Sequence, residues 1–281
     1  MSPLPLPPVA EPFQLPFHYG ALHNIGIDWL TEAEPVRDLL AAHHPALTAA
    51  TFDGRALVSL NYQLYFAQYA FGGGVTQEIE YNIIAFPTDQ EDRVPDLNYA
   101  QYAQGWDQTK LLGIARIHVV CDNPYAITAG RELYAEPKYP GWFEVDLPSL
   151  NGPSGETWTV HCKGAEVGAD GTLIREEKQL LSFTAELDGL TPSPANNTPI
   201  TGYGTDSTGR ALAGPMNVYQ PYRWYDLTDT DRVHLTVHAP DTDLGQDLHH
   251  LLTNTPATGA WTYQSPPVAA HNRPYYLGPQ I

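Results

Sequence analysis

Apolar and polar residues alternate along much of this chain, and a period of two predicts β-strands. Between Leu57 and Phe66 the apolar side chains fall mainly at every second position, and Gly72–Gly74 then interrupts the pattern. Successive side chains of a strand point to opposite faces, so this alternation is typical of a strand that buries one face. The same reasoning predicts further strands at Glu78–Phe86, Leu112–Val120, Trp142–Leu147, Thr157–His161, Gln179–Leu187 and Val233–Val237.

Helical spacing of apolar residues is confined to short segments. Glu32–Leu40 is predicted to form a helix with Thr31 as its N-cap, and Leu244–Thr253 repeats apolar residues at helical intervals. Leu190–Gly214 is rich in Pro, Asn, Thr and Gly, which indicates a long loop or lid. Many short strands with few helices predict a β-rich α+β fold.

The N-terminal segment is predicted to differ from the rest. Residues 1–16 carry prolines at positions 3, 5, 7, 8, 12 and 16, which favours an extended arm. Such an arm is either disordered or lies across a neighbouring subunit. Residues 17–281 are predicted to form a single domain, and the arm favours a homo-oligomer.

The composition argues against several classes of partner. A formal net charge of −18 disfavours nucleic acid and an anionic membrane as partners. The N-terminus lacks the features of a signal peptide, and no stretch approaches the roughly 18 apolar residues of a membrane span, so we expect a soluble cytoplasmic protein.

Cys121 and Cys162 fit no metal or redox spacing, so two buried thiols are favoured over one disulfide. No metal-ligand motif occurs, and we expect no metal.

Lys138 is the first candidate for chemistry. It is one of four lysines in 281 residues, so lysine is not used here as a general surface charge. Pro137 before it and Pro140–Gly141 after it predict a shaped turn between extended segments. A lysine on such a turn is either an amine nucleophile or a surface charge, and the local pattern leaves both open.

The residues upstream of Lys138 favour the nucleophile. From Asp122 to Lys138 the chain reads Asp-Asn-Pro-Tyr-Ala-Ile-Thr-Ala-Gly-Arg-Glu-Leu-Tyr-Ala-Glu-Pro-Lys. This segment resembles the active-site segment of the acetoacetate decarboxylase family, which ends on the lysine that forms a Schiff base with a ketone substrate. The resemblance implies a mainly antiparallel sheet curled into a cone or barrel, the lysine inside it, no cofactor, and a homo-oligomer.

Three positions depart from that family's pattern. Tyr139 stands where the decarboxylases have a second lysine, no arginine occurs near Gly20 where theirs engages the substrate carboxylate, and Asn61 aligns with one of their glutamates. Their other pocket glutamate aligns with Glu78 or Glu80, which share one face of a predicted strand. Either of the two is the pocket acid, or both are solvated strand residues.

Further residues complete the predicted site. Arg116 and His118 alternate on one strand and could bind the substrate carboxylate in place of the missing arginine; an exposed strand edge is the alternative for Arg116. Asn61 would contact substrate, and Tyr134 or Tyr139 would orient the intermediate.

An amine must be neutral to attack a carbonyl, yet only about one lysine in a few thousand is neutral at pH 7. With no second lysine beside it, Lys138 would need burial to lower its pKa, whereas a nearby Glu132 or Glu136 would raise it. Arg131 and Glu132 are predicted to brace the loop that aims the lysine. The side chains expected to bury it are Tyr134, Tyr139, Trp142 and Phe143.

These observations predict a cofactor-independent lyase that forms an iminium between Lys138 and a small keto acid. The missing lysine, arginine and glutamate favour aldol condensation, dehydration or cyclisation. Decarboxylation of an acetoacetate-like acid is the alternative. A third reading, from another class of protein, is a non-catalytic barrel that binds small molecules.

Overall fold

The computed structural model describes residues 6–69, 72–149, 155–218 and 221–264. Helices are few and short in these ranges. They are α1 (Ala33–His43), α2 (Tyr99–Ala103), α3 (Pro124–Tyr134) and α4 (Asp243–Leu252), with a 3₁₀ turn at Thr88–Arg93.

Strands make up most of the described chain, as the alternating pattern predicts. They are β1 (His18–Glu32), β2 (Leu47–Ala49), β3 (Thr51–Phe52), β4 (Arg55–Tyr69), β5 (Gly72–Pro87), β6 (Gly113–Cys121), β7 (Lys138–Asp146), β8 (Thr157–Val167), β9 (Leu173–Glu186), β10 (Ser193–Ala195), β11 (Ile200–Thr205), β12 (Ala211–Met216), β13 (Tyr222–Asp226), β14 (Val233–Val237) and β15 (Gly259–Gln264).

The strands form one mixed, mainly antiparallel sheet. Its order is β10-β13-β15-β1-β4-β5-β6-β7-β8-β9-β14, and the described strands leave it open rather than closed into a barrel. Two of the pairings are parallel, β6 with β7 and β6 with β11. The predicted β-rich α+β class with a mainly antiparallel sheet is confirmed.

The two faces of the central strands are filled differently. Even-numbered residues of β4, such as Leu60 and Tyr62, join the main core with α1 and α4. The odd-numbered residues Ser59, Asn61 and Gln63 are polar, yet they are buried as well. Strand β5 has the same division, because its odd-numbered residues are apolar. One face of the sheet thus carries a buried polar surface.

Two predictions about local structure are wrong. Thr31 does not cap α1, because β1 continues through it and its hydroxyl donates to the Leu251 carbonyl at 2.9 Å. The α1 N-cap position is Glu32, without a side-chain cap. Leu190–Gly214 is not one long loop, since it contains β10, β11 and the start of β12, and β11 pairs with β6.

The predicted turn around Lys138 is also wrong. Asn123 caps α3 by accepting from the Tyr125 and Ala126 amides, and Pro124 occupies the first helical turn, where its missing N–H costs nothing. The helix ends at Ala135, whose φ of 53° is left-handed, and β7 begins at Lys138. The lysine therefore opens a strand instead of sitting at the tip of a turn.

The ends of the chain bear on the predicted domains. In the described part of the N-terminal segment, Phe13 is buried against Ala129 and Leu133 of α3. Residues 1–5 and 265–281 lie outside the described residues, and both domain limits stay predictions.

Cys121 and Cys162 are free and buried. None of the helices in the described ranges has the length and apolar character needed to cross a bilayer.

Candidate active site

The buried polar surface lies where β4 and β5 pair. Their antiparallel register puts Asn61 opposite Glu80 and Gln63 opposite Glu78. All four side chains are buried, with Glu78 only 4% and Glu80 only 2% exposed. Both glutamates thus point into one pocket, and neither is a solvated strand residue.

Lys138 reaches this pocket from β7, whose first residue pairs with Val119 of β6. Its side chain is 6% exposed, and its Nζ lies 2.5 Å from Glu78 Oε2. Arg131 Nε donates to the Lys138 carbonyl at 2.5 Å and so fixes the backbone from which the lysine projects.

Gly130 of α3 allows this close approach without a shift of the ion-paired side chains. A Cβ at position 130 would lie 2.3 Å from Glu136 Oε2 and 2.8 Å from Lys138 Cδ, well inside van der Waals contact. Glycine lets the helix pass directly over both side chains. This gives a physical reason for the glycine of the Gly-Arg-Glu-Leu stretch.

Glu78 is held by three donors. Besides Lys138, Gln63 Nε2 donates to its Oε1, and Tyr65 OH donates to Oε2 at 3.1 Å. Burial and the carboxylates of Glu80 and Glu136 raise the pKa of Glu78, although Lys138 opposes them. Glu78 is therefore a carboxyl that takes up a proton more readily than an ordinary glutamate.

Glu80 has a different set of partners. Arg116 Nε donates to its Oε1 at 2.7 Å, and its Oε2 accepts from Asn82 at 3.2 Å and from Asn61 at 3.4 Å. Asn61 is itself held by Asn24, whose Nδ2 donates to Oδ1 at 2.6 Å. Glu80 is thus fixed as the carboxylate partner of Arg116, whose side chain is only partly exposed.

Glu136 links the two cations of the pocket. Its Oε2 lies 3.3 Å from Lys138 Nζ, and its Oε1 lies 3.6 Å from Arg116 Nε. Burial raises the pKa of Glu136, but Lys138 and Arg116 outweigh it and leave that pKa lowered. The pocket therefore holds three carboxyl groups, Glu78, Glu80 and Glu136, against two cations.

The charge of Lys138 follows from this cluster. Burial by itself lowers the pKa of Lys138, but Glu78 and Glu136 more than reverse this and leave it well above its usual value. The expectation that burial would lower this pKa is therefore wrong for the resting pocket. Trp142 and Phe143 also do not surround the amine, since Trp142 packs under Lys163 and Phe143 joins the main core.

Aromatic and aliphatic side chains complete the pocket, which measures about 810 Å³ with its open mouth. Tyr134 of α3 lines it, as predicted from the sequence. The other tyrosines along its wall are Tyr19, Tyr65, Tyr69 and Tyr263. No cluster of potential metal ligands occurs among the described residues.

Three predicted site residues lie elsewhere. His118 and Tyr139 are on the opposite face of the sheet, where His118 Nε2 lies 2.8 Å from Asp247 Oδ2 of α4 and Tyr139 OH lies 3.4 Å from His118 Nδ1. Strand alternation explains why Tyr139 points away from the pocket, because consecutive residues of β7 point to opposite faces. Glu132 is an exposed residue of α3 outside the pocket.

Sequence reasoning missed two contacts of the cluster. Gln63 and Tyr65 follow Asn61 at intervals of two on β4, so strand periodicity placed them on the same face. Glu136 was named from the sequence only as a residue that would raise the pKa of Lys138 if it lay nearby, and its position depends on the left-handed turn at Ala135.

Comparison with known proteins identifies the fold. No family model matches the sequence, and no curated protein does. The structure of the enduracididine biosynthesis enzyme MppR complexed with pyruvate superposes with a TM-score of 0.58 at 10% identity, covering 90% of this chain and 87% of that one. A structure of acetoacetate decarboxylase gives 0.53 at 13% identity, covering 91% and 90%. Acetoacetate decarboxylase from Legionella pneumophila gives 0.51 at 12% identity, covering 95% and 92%.

The chain therefore has the acetoacetate decarboxylase-like fold. This confirms, for the fold, the resemblance that the segment from Asp122 to Lys138 indicates. At such low identities the likeness extends to the fold alone, and the chemistry has to be inferred from the pocket.

We expect Glu78→Gln to lower the pKa of Lys138, because it removes the carboxylate nearest to the ammonium. Glu136→Gln should lower it less, since its oxygen lies 0.8 Å farther away (3.3 against 2.5 Å). NMR titration of lysine side chains labelled at Cε measures this directly, and four lysines keep assignment simple. An unchanged Lys138 titration in both variants would contradict the ion-pair assignment.

Proposed function

We propose that this protein is a cofactor-independent enzyme that forms a Schiff base between Lys138 and a small keto acid, and uses the enamine for aldol condensation, dehydration or cyclisation. The observation that carries the proposal is the buried pair of Lys138 and Glu78, with 2.5 Å between Nζ and Oε2. An amine and a proton acceptor in contact inside a pocket are the two groups that such chemistry requires.

Glu78 is the group that activates Lys138. The amine is held as an ammonium and must lose a proton before it can attack. Glu78 touches it and has a raised pKa, so the proton can move to Oε2 without leaving the pocket. Movement of that proton turns two buried charges into a neutral pair, which burial favours.

The same pair serves each later step. Neutral Nζ adds to the keto carbon, and the carbonyl oxygen leaves as water with one proton from Nζ and one from Glu78, which gives the iminium. Glu78, again ionised, takes a proton from the α-carbon, and the C–H electrons move to nitrogen to form the enamine. The enamine carbon can then add to a second carbonyl, whose oxygen accepts a proton from Glu78. Water releases the product and restores Lys138.

Arg116 is the candidate partner of the substrate carboxylate. Its contact with Glu80 is short, at 2.7 Å, whereas Glu136 lies 3.6 Å away and is the partner more easily replaced. A keto acid that displaces Glu136 from Arg116 would also loosen that carboxylate from Lys138. Substrate binding and release of the amine from its ion pair are then coupled.

Two facts favour enamine chemistry over simple loss of CO₂. Tyr139 occupies the position of the second lysine of the decarboxylases and points away from the pocket. The fold is shared with MppR, which has been solved complexed with the condensation product of pyruvate and imidazole 4-carboxaldehyde. A base beside the iminium nitrogen is needed for enamine formation, and Glu78 occupies that place.

Borohydride trapping tests the Schiff base. Incubation with pyruvate and borohydride should add one reduced pyruvate to Lys138, detected by peptide mass spectrometry. Lys138→Arg should abolish the adduct, because it keeps a positive charge beside Glu78 but removes the primary amine.

Lys163→Arg is the matched control, since Lys163 is also buried and paired with two glutamates but lies outside the pocket. It should leave the adduct intact. Absence of an adduct with pyruvate, acetoacetate and larger keto acids would refute the enzyme and favour the non-catalytic binding barrel.

Hydrogen exchange separates the roles of the two strand glutamates. The protein should exchange the methyl protons of pyruvate in D₂O, followed by ¹H NMR, because the enamine forms reversibly. Glu78→Gln should slow this exchange by about 10²- to 10⁴-fold, the usual contribution of a general base. Glu80→Gln should act mainly on the KM for pyruvate, because Glu80 holds Arg116.

An equal loss of exchange in both variants, with KM unchanged, would contradict the assignment of Glu78 as the base. Release of CO₂ from acetoacetate faster than exchange of pyruvate would instead favour the decarboxylase.

A further inference from the structure

A second cavity adjoins the Lys138 pocket. It measures about 520 Å³ together with the space open to solvent, and four residues line both cavities, Ile114, Ile200, Trp261 and Tyr263. We call this second cavity the inner chamber. Beyond the shared wall Tyr102, Tyr222 and Leu112 line it, so aromatic rings and aliphatic side chains form much of its surface. A flat group that reaches past the shared wall would lie between aromatic rings.

Asp28 is the one acidic side chain among the described residues that line the inner chamber. It is 4% exposed and accepts a hydrogen bond from Tyr99 OH at 2.9 Å. No Lys, Arg or His of the described chain lines the inner chamber with it. Burial raises the pKa of Asp28 to about 6, against hydrogen bonds from Tyr99, Ser59 and Trp261. A buried carboxyl without a counter-charge is costly in its ionised form.

A buried hydroxyl on the chamber wall lacks a hydrogen-bond partner in the described structure. Tyr263 is 2% exposed, and its hydroxyl has no hydrogen-bond partner within the described structure. It lies on the wall shared by the two cavities. A buried hydroxyl in this state is destabilising unless a ligand or water satisfies it.

We propose that the inner chamber is a binding subsite for a cationic aromatic group, held by Asp28 and stacked among the chamber's rings. The hydroxyl of Tyr263 stands at the entrance, where it can bond to a polar atom between the cation and the reacting carbon. The group is the distal part of the substrate or of the second carbonyl reactant. That role rests on the proposed function, but the affinity for an aromatic cation does not.

Matched probes test the charge preference. Benzylamine and benzyl alcohol differ mainly in charge, and calorimetric titration at pH 7.5 should give benzylamine an affinity at least about tenfold higher, the difference between a charged and a neutral hydrogen bond. Benzoate should not bind in the inner chamber. Asp28→Asn should remove the difference between benzylamine and benzyl alcohol.

The affinity should also follow pH. Benzylamine stays protonated from pH 5 to 7, while Asp28, with its pKa of about 6, ionises over this range, so affinity should rise about tenfold. The phenols that face Asp28, Tyr99, Tyr102, Tyr222 and Tyr263, stay neutral because burial raises their pKa. Asp28→Asn should flatten this pH dependence.

A second variant keeps the test independent of Asp28. Ala103→Leu adds bulk to the chamber wall and should weaken benzylamine and benzyl alcohol alike. Thermal unfolding checks that both variants fold. Equal binding of the two probes, or benzylamine binding that survives in both variants, would overturn the proposal. Lys138→Arg should leave benzylamine binding unchanged, so a failed Schiff-base test and a failed inner chamber are distinguishable.

Discussion

The pocket depends on one constraint, that charges taken out of water must be paired. Isolated buried ions cost several kcal/mol each, so Lys138 and Arg116 can be buried only because carboxylates meet them. Glu78, Glu80 and Glu136 supply these partners from two different parts of the chain. The antiparallel pairing of β5 with β6, the parallel pairing of β6 with β7, and the turn after α3 are all needed to bring them together.

The fold delivers each group from a rigid element. Glu78 and Glu80 stand two residues apart on a central strand, so their separation is fixed by the strand itself. Lys138 begins β7, which is separated from that strand by β6, and Gly130 allows α3 to cover the lysine closely. A one-residue slip of β5 would exchange its glutamates for the core residues between them, so core packing and the site enforce the same register.

The sequence predicts the positions of the strands well, but it predicts less well which strand faces are buried and which side chains meet across the sheet. Alternation locates β4 and β5, but cannot tell a polar face that is solvated from one buried as a pocket, because both have a period of two. Helix α3 is not among the predicted elements, although Asn123 and Pro124 form an ordinary helix start. Pro137 and Pro140 favoured a turn in this region instead. Tyr139 was expected beside the substrate, but its side chain follows the strand to the opposite face. Contacts across the sheet, such as Glu136 with Arg116, depend on tertiary geometry that no local pattern encodes.

The two cavities place opposite demands on a ligand. In the Lys138 pocket, three carboxyls face two cations, and an anionic substrate group can enter only by replacing Glu136 at Arg116 or by arriving with a proton. In the inner chamber Asp28 has no cationic side chain beside it among the described residues, and a positively charged ligand group would compensate its charge. A ligand that spans both would be anionic beside its keto carbon and cationic at its aromatic end. The charge pattern of the protein would thus set the orientation of such a ligand, and under the proposed function that orientation would direct its carbonyl toward Lys138.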